Sequence, residues 1–114
     1  MTFETCTLRI KRFDEKERIS MRERDIERRL VTETLKRGGV ALKFVSPGCA
    51  GVPDRIVMMP KGKMGFAELK APHQKPRPLQ ERRIRQMRAM GFKVFVIDGI
   101  EQISRALDEI EEDS

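Results

Sequence analysis

At 114 residues and 13.2 kDa, with 39% apolar and 37% charged residues, the chain is long enough for one modest core and too short for two. No stretch approaches the roughly 18 apolar residues that a membrane-spanning helix needs, and the N-terminus lacks the continuous apolar block of a signal peptide. Cys6, Cys49 and a lone His73 are too few and too scattered for a disulfide scaffold or a zinc site, so the expected setting is the cytoplasm, or the host cytoplasm for a viral protein.

Residues 1 to about 20 carry little periodicity and read as an N-terminal arm, leaving 21–114 as the compact domain. From Arg22 to Arg37 the spacing of Ile26, Leu30, Val31 and Leu35 is helical, and Gly38-Gly39 supplies a stop. Val40, Leu42 and Phe44 alternate with Ala41 and Lys43, the mark of a half-buried strand ending near Ser46-Pro47-Gly48. Two apolar runs, Arg55 to Met59 and Met64 to Lys70, flank Pro60-Lys61-Gly62-Lys63 and predict a hairpin. The proline-rich stretch from Ala71 to Pro78 is irregular. Pro78 suits the first turn of a helix that buries Leu79, Ile84, Met87 and Met90 and stops at Gly91. Phe92 to Ile97 reads as a strand covered on both faces, and Asp98 with Glu101 as a capping box for a last helix carrying Ile103, Leu107 and Ile110. The expected order is αβββαβα, an α/β fold with a central sheet.

The net charge is +6 and the pI near 9.7, which suits a polyanionic partner as well as it suits none. Its distribution is uneven. Between Lys70 and Arg88 stand Lys70, Lys75, Arg77, Arg82, Arg83, Arg85 and Arg88 against the single acid Glu81, whereas the tail after Glu101 is acidic. Lys43, Lys75, Arg77, Arg82 and Arg83 are the candidates for contact with a nucleic-acid backbone, although a solvated helix face accounts for the arginines equally well. With no Tyr or Trp, stacking platforms for single-strand recognition are not expected.

The chemistry concentrates in Gly51-Val52-Pro53-Asp54 and Phe66-Ala67-Glu68-Leu69-Lys70. Residues two apart on a strand share a face, so Glu68 and Lys70 emerge together while Leu69 points away. Gly51 and Pro53 turn the backbone so that Asp54 stands at the mouth of the neighbouring strand. A hard divalent cation takes oxygen ligands, and Asp54, Glu68 and the backbone carbonyl of Leu69 would suffice, with Lys70 orienting or deprotonating water or stabilising charge. The plain alternative is an Asp in a turn beside an exposed Glu–Lys pair. Glu27 and Glu23 both fall within the apolar arc of the first helix, where a carboxylate needs compensation. Glu27, deeper in the helix, is the preferred fourth member, the alternative being a boundary residue paired with Arg24 or Arg28. Gln80 is placed to brace Lys70 or touch a phosphate, or is simply a polar first-turn residue. His73 has no evident partner.

Taken in order, Glu27, Gly51-Val52-Pro53-Asp54, Glu68-Leu69-Lys70 and Gln80 resemble the PD-(D/E)xK nuclease superfamily. Lys43-Phe44-Val45-Ser46-Pro47-Gly48, Glu68-Leu69-Lys70-Ala71-Pro72 and Pro78-Leu79-Gln80 narrow the resemblance to the virus-type replication-repair nuclease (VRR-NUC) domain, over residues 21 to 110. The resemblance implies a restriction-endonuclease-like αβββαβ core, Mg2+ or Mn2+ as cofactor, and a metal held by Asp54 and Glu68. It also implies help from Glu27, with Lys70 catalytic and Gln80 supporting. Stand-alone members of this kind resemble homodimeric DNA nucleases selective for structure, including those that resolve four-way junctions. The expected activity is therefore metal-dependent DNA endonuclease. The competing expectations are a non-catalytic nucleic-acid-binding module of the same fold and a subunit whose basic face docks an acidic protein.

Overall fold

In the computed structural model, which describes residues 15–112, the elements follow in the expected order. Helix α1 spans Glu15–Lys36, strands β1, β2 and β3 span Val40–Lys43, Arg55–Met59 and Lys63–Leu69, helix α2 spans Pro78–Ala89, strand β4 spans Val94–Ile97 and helix α3 spans Ile103–Glu111. Helix α1 begins seven residues before the expected Arg22, since Glu15 to Arg22 contains no Gly or Pro and is rich in Glu, Lys, Arg and Met, which favour helix. Part of the expected arm is thus helical, and residues 1–14 lie outside the described residues. No helix among the described residues is long and apolar enough to cross a membrane.

The sheet is mixed, in the order β1-β2-β3-β4, with the first two pairs antiparallel and β3–β4 parallel. The turn between β2 and β3 is a single 3-10 turn, Pro60–Gly62, in which Lys61 and Gly62 both take positive φ. This is the expected hairpin. Helix α2 makes the crossover that two parallel neighbours require.

One face of the sheet, carrying Ala41, Val57, Ala67, Leu69 and Ile97, is closed by Ile26 and Leu30 of α1 and by Ile103, Leu107 and Ile110 of α3. Each of the valine, leucine and isoleucine side chains among them contributes roughly 1.5–3 kcal/mol by leaving water. Arg37, just past α1, ties the two helices with bonds from Nη1 to Asp108 and Glu111, at 2.8 and 3.2 Å, and from Nη2 to Ser104 Oγ at 3.1 Å. Gly65 lets α3 approach: a Cβ there would lie 2.8 Å from Ile110 Cγ1. Gly65→Val is therefore expected to destabilise the fold by about 1–3 kcal/mol through overpacking, read as a lower urea midpoint with an unchanged slope.

The opposite face is covered on one side only, where Ile84 and Met87 of α2 pack on Phe66 and Val94. Val40, Met58 and Met64 lie in a cross-strand row beyond that cover, and with Leu42 they are exposed. Within β1 it is Ala41 that is buried, because its face is the one beneath α1. Leu79 and Met90, expected in the core, are also exposed, while Gln80 is buried in their stead. At the start of α3 the reciprocal pair is Asp98 with Gln102: Gln102 Nε2 donates to Asp98 Oδ1 at 2.6 Å, and Gln102 Oε1 accepts from the Asp98 N–H at 3.0 Å. Glu101 was expected in that place. The intervening 3-10 turn, Ile100–Gln102, shifts the partner by one residue.

Candidate active site

Asp54 is positioned by the turn that precedes it. Gly51 takes φ of +87°, which side-chain-bearing residues seldom adopt, and a Cβ there would lie 3.1 Å from Leu79 Cγ and from the Leu79 carbonyl oxygen, so the turn sits directly on the start of α2. Pro53 is buried. The Phe44 N–H donates to the Asp54 carbonyl at 2.8 Å and fastens the turn to the end of β1. The Leu69 N–H then donates to Asp54 Oδ2 at 2.9 Å, which holds this carboxylate against the end of β3. The Leu69 side chain points into the core beneath α1 and α3, as alternation requires.

Glu68 is 1% exposed, a depth at which a carboxylate is costly without partners. Its Oε2 accepts from Gln80 Nε2 at 2.7 Å and pairs with Lys70 Nζ at 3.1 Å. Its Oε1 is buried and has no hydrogen-bond partner among the described residues. Burial is the main cause that raises its pKa above the ordinary 4.5, with the Asp54 charge adding to it; Lys70 and the Asp54 backbone amide pull the other way. Gln80 is fixed in turn, since its Oε1 accepts from the Arg77 N–H at 2.9 Å. It braces Glu68, where bracing of Lys70 or contact with a phosphate was expected.

Glu27 and Glu23 occupy different places from those expected. Glu27 pairs with Arg55 Nη2 at 3.0 Å, and Arg55 Nη1 donates to the Ala41 carbonyl at 3.0 Å, which ties α1 to the first two strands. Glu23 lies within electrostatic reach of Lys70, Asp54 and Glu27, and its pKa is raised by burial and by the two acids against the opposing pull of Lys70. The buried stripe of α1 explains the difference. It consists of Ile26, Leu30 and Thr34, with Leu35 58% exposed. At about 100° per residue, Glu23 is about 20° from Leu30 and Glu27 about 60°, so Glu23 is the more central of the two. Thr34 was the missed signal: its hydroxyl donates to the Leu30 carbonyl at 2.7 Å, which satisfies it inside the core and lets a polar residue complete the stripe.

Among the described residues no three His, Cys, Asp or Glu side chains cluster as a ready metal cage. The oxygen donors nevertheless suit a hard cation: two carboxylates at the ends of adjacent strands, one of them with a buried oxygen that none of the described residues satisfies. Of the expected backbone contacts, Arg77 lines the same cavity as Asp54 and Gln80. Lys43, Lys75 and Arg82 are exposed and make no ion pair with the described residues. Arg83 is half-buried and donates to Gln86 Oε1 at 2.6 Å, so it is the least free of the five.

The chain is similar to known proteins in fold and in sequence. A solved structure described as a VRR_NUC domain superposes with a TM-score of 0.72 at 28% identity, over 76% of this chain and 95% of that one. A protein of Acyrthosiphon pisum secondary endosymbiont phage 1, "Putative nuclease p44", is 53% identical over 78 residues, 68% of this chain and 84% of the phage protein. The chain belongs to the VRR-NUC family. No family model matches it. Pro53-Asp54 immediately precedes β2, and Glu68-Leu69 closes the neighbouring β3 with Lys70 just beyond it, in the mixed four-stranded sheet.

Proposed function

We propose that the chain is a metal-dependent endonuclease that hydrolyses phosphodiester bonds in DNA, selecting branched or duplex substrates such as four-way junctions by shape. The observation that carries this reading is the Glu68 carboxylate within reach of the Asp54 charge, held on Oε2 by Gln80 and Lys70, with Oε1 buried and lacking a hydrogen-bond partner among the described residues. Asp54, Glu68 and the Leu69 carbonyl would hold Mg2+ or Mn2+, which supplies Lewis-acid neutralisation of charge at the scissile phosphate. Lys70 presents its amine beside that carboxylate, where it orients the attacking water and stabilises charge on the phosphate oxygens. Gln80 keeps Glu68 in one rotamer. Arg77, Lys43, Lys75, Arg82 and Arg83 hold the DNA backbone, so affinity falls steeply with salt and sequence preference stays weak.

Glu23 supports the pair from α1 more directly than Glu27, whose carboxylate is engaged by Arg55. Glu23→Gln is accordingly expected to lower cleavage by about 10–100-fold, whereas Glu27→Gln chiefly loosens α1 and shows as a lower melting temperature. Initial rates and thermal melts on the two variants separate these outcomes. Reversal of the two effects would restore Glu27 to the site.

A homodimer fits this activity, because two symmetric sites can cut both strands of a branch, and the exposed row of Val40, Met58 and Met64 offers apolar surface for a second copy. The deciding experiment is a panel of end-labelled duplex, flap and four-way DNAs incubated with Mg2+, with molar mass measured by light scattering on the same preparation. Cleavage confined to branched DNA is the expected result. Binding without cleavage of any substrate under Mg2+ or Mn2+ would leave only the inactive nucleic-acid-binding module.

A further inference from the structure

Between the loop that joins β1 to β2 and the first turn of α2 lies a cavity of about 400 Å3. Asp54 and Gln80 line it, so it adjoins the proposed metal site at Asp54. The rest of the lining mixes apolar Phe44, Val45, Val52 and Leu79 with polar groups such as Ser46, and Arg77 is its one cation. We propose that this cavity holds the base of the nucleotide adjoining the scissile phosphate, swung out of its stack, an inference that rests on the endonuclease reading given above.

The cavity is the right size for a flat ring with apolar faces and polar edges, and its single cation makes it a poorer seat for a phosphate, which would call for several. A phosphate that reaches Asp54 brings its neighbouring nucleoside within one backbone repeat, and the cavity shares that residue. The walls are already in place. Gly51 lies tightly against Leu79, Pro53 is buried, and the Phe44 ring is held 5.7 Å from the Phe66 ring at a 40° tilt. Leu79 and Val45 remain 46% and 73% exposed, apolar surface that a base would cover. Extruding a base is least costly at a mismatch, a branch or a nick, where stacking is already broken, so the same cavity gives the enzyme a physical reason to prefer disrupted duplexes.

The test uses the full chain as the Lys70→Ala variant, expected to bind DNA while cutting it far more slowly, and branched DNAs carrying 2-aminopurine at either position flanking the cut. Binding in Mg2+ is expected to raise fluorescence several-fold at one flanking position and not two nucleotides away, and Leu79→Ala in the same background is expected to diminish the rise. In wild-type protein, an abasic site at that position should slow cleavage by about ten-fold, the order expected for loss of one stacked base. Leu79→Ala and Phe44→Leu should slow cleavage of the intact DNA comparably, and their losses should not add to that of the abasic site. Phe44→Leu retains a large apolar side chain at a half-buried position, so folding is retained. Unchanged fluorescence at both flanking positions in bound DNA, or additive losses, would overturn the cavity's role while leaving the endonuclease intact. A wild type that cuts no DNA overturns the endonuclease, and the fluorescence result then stands on binding alone. Absence of any DNA binding sinks both.

Discussion

Lys70→Ala is expected to slow Mg2+-dependent cleavage by a factor of about 10²–10⁴, the range for loss of a positioned proton-transferring or charge-stabilising group, while DNA affinity changes little. The structure makes a second outcome expected from the same variant. Lys70 is the cation paired with Glu68, and it also opposes the burial that raises the Glu68 pKa. Its removal leaves two carboxylates with less compensation, so the sites should bind Mn2+ at least as tightly as before. Calorimetric titration with Mn2+ alongside single-turnover cleavage distinguishes the possibilities. Loss of metal binding in step with activity would mean that Lys70 maintains the fold of the site and takes no part in the reaction.

Glu68→Gln is expected to abolish detectable cleavage and, in metal-free buffer at neutral pH, to raise thermal stability. The sign follows from proton linkage. Burial raises the Glu68 pKa in the folded protein above 4.5, so the folded state retains a proton that the unfolded chain releases. Stability is thus complete below about pH 4.5 and declines as pH rises through the raised value, the opposite of the usual trend for a paired carboxylate. Glu23, also raised by burial, adds a decline of the same sign. In the glutamine variant the Glu68 part of that decline disappears. A divalent cation acts on wild type alone: at a concentration one hundred times its dissociation constant it adds about 2.7 kcal/mol, of the order of 10 °C in melting temperature for a domain of this size. Melting curves from pH 4 to pH 8, with EDTA and with Mn2+, provide the measurement. Equal stabilisation of wild type and Glu68→Gln by Mn2+ would place the metal elsewhere.

Much of the fold was legible because its signals are local. The helical spacing of Ile26 and Leu30, the Pro60–Gly62 turn between two apolar runs and the Pro78 start of α2 all depend on neighbours within a few residues. The two-residue repeat likewise put Glu68 and Lys70 on one face and Leu69 in the core. Misplaced side chains share one cause: their burial depends on what covers them. Val40 and Leu42 alternate as a strand should, yet α2 covers only the β3–β4 half of that face and leaves them exposed. Leu35 belongs to the periodic pattern, but Thr34 takes its place in the stripe that meets the sheet.

The order of elements, the two-strand placement of Asp54 and Glu68, and the residue types offered to a cation were determined by the sequence alone, since backbone periodicity and turn chemistry act over a few residues. The tertiary structure decided that Gln80 serves Glu68, that Arg55 engages Glu27 while Glu23 stays near Lys70, and that one Glu68 oxygen is buried without a partner among the described residues. These are distances between groups up to 47 positions apart in the sequence, and no local pattern encodes them. They arise only when packing brings α1, β2, β3 and α2 to the same end of the sheet.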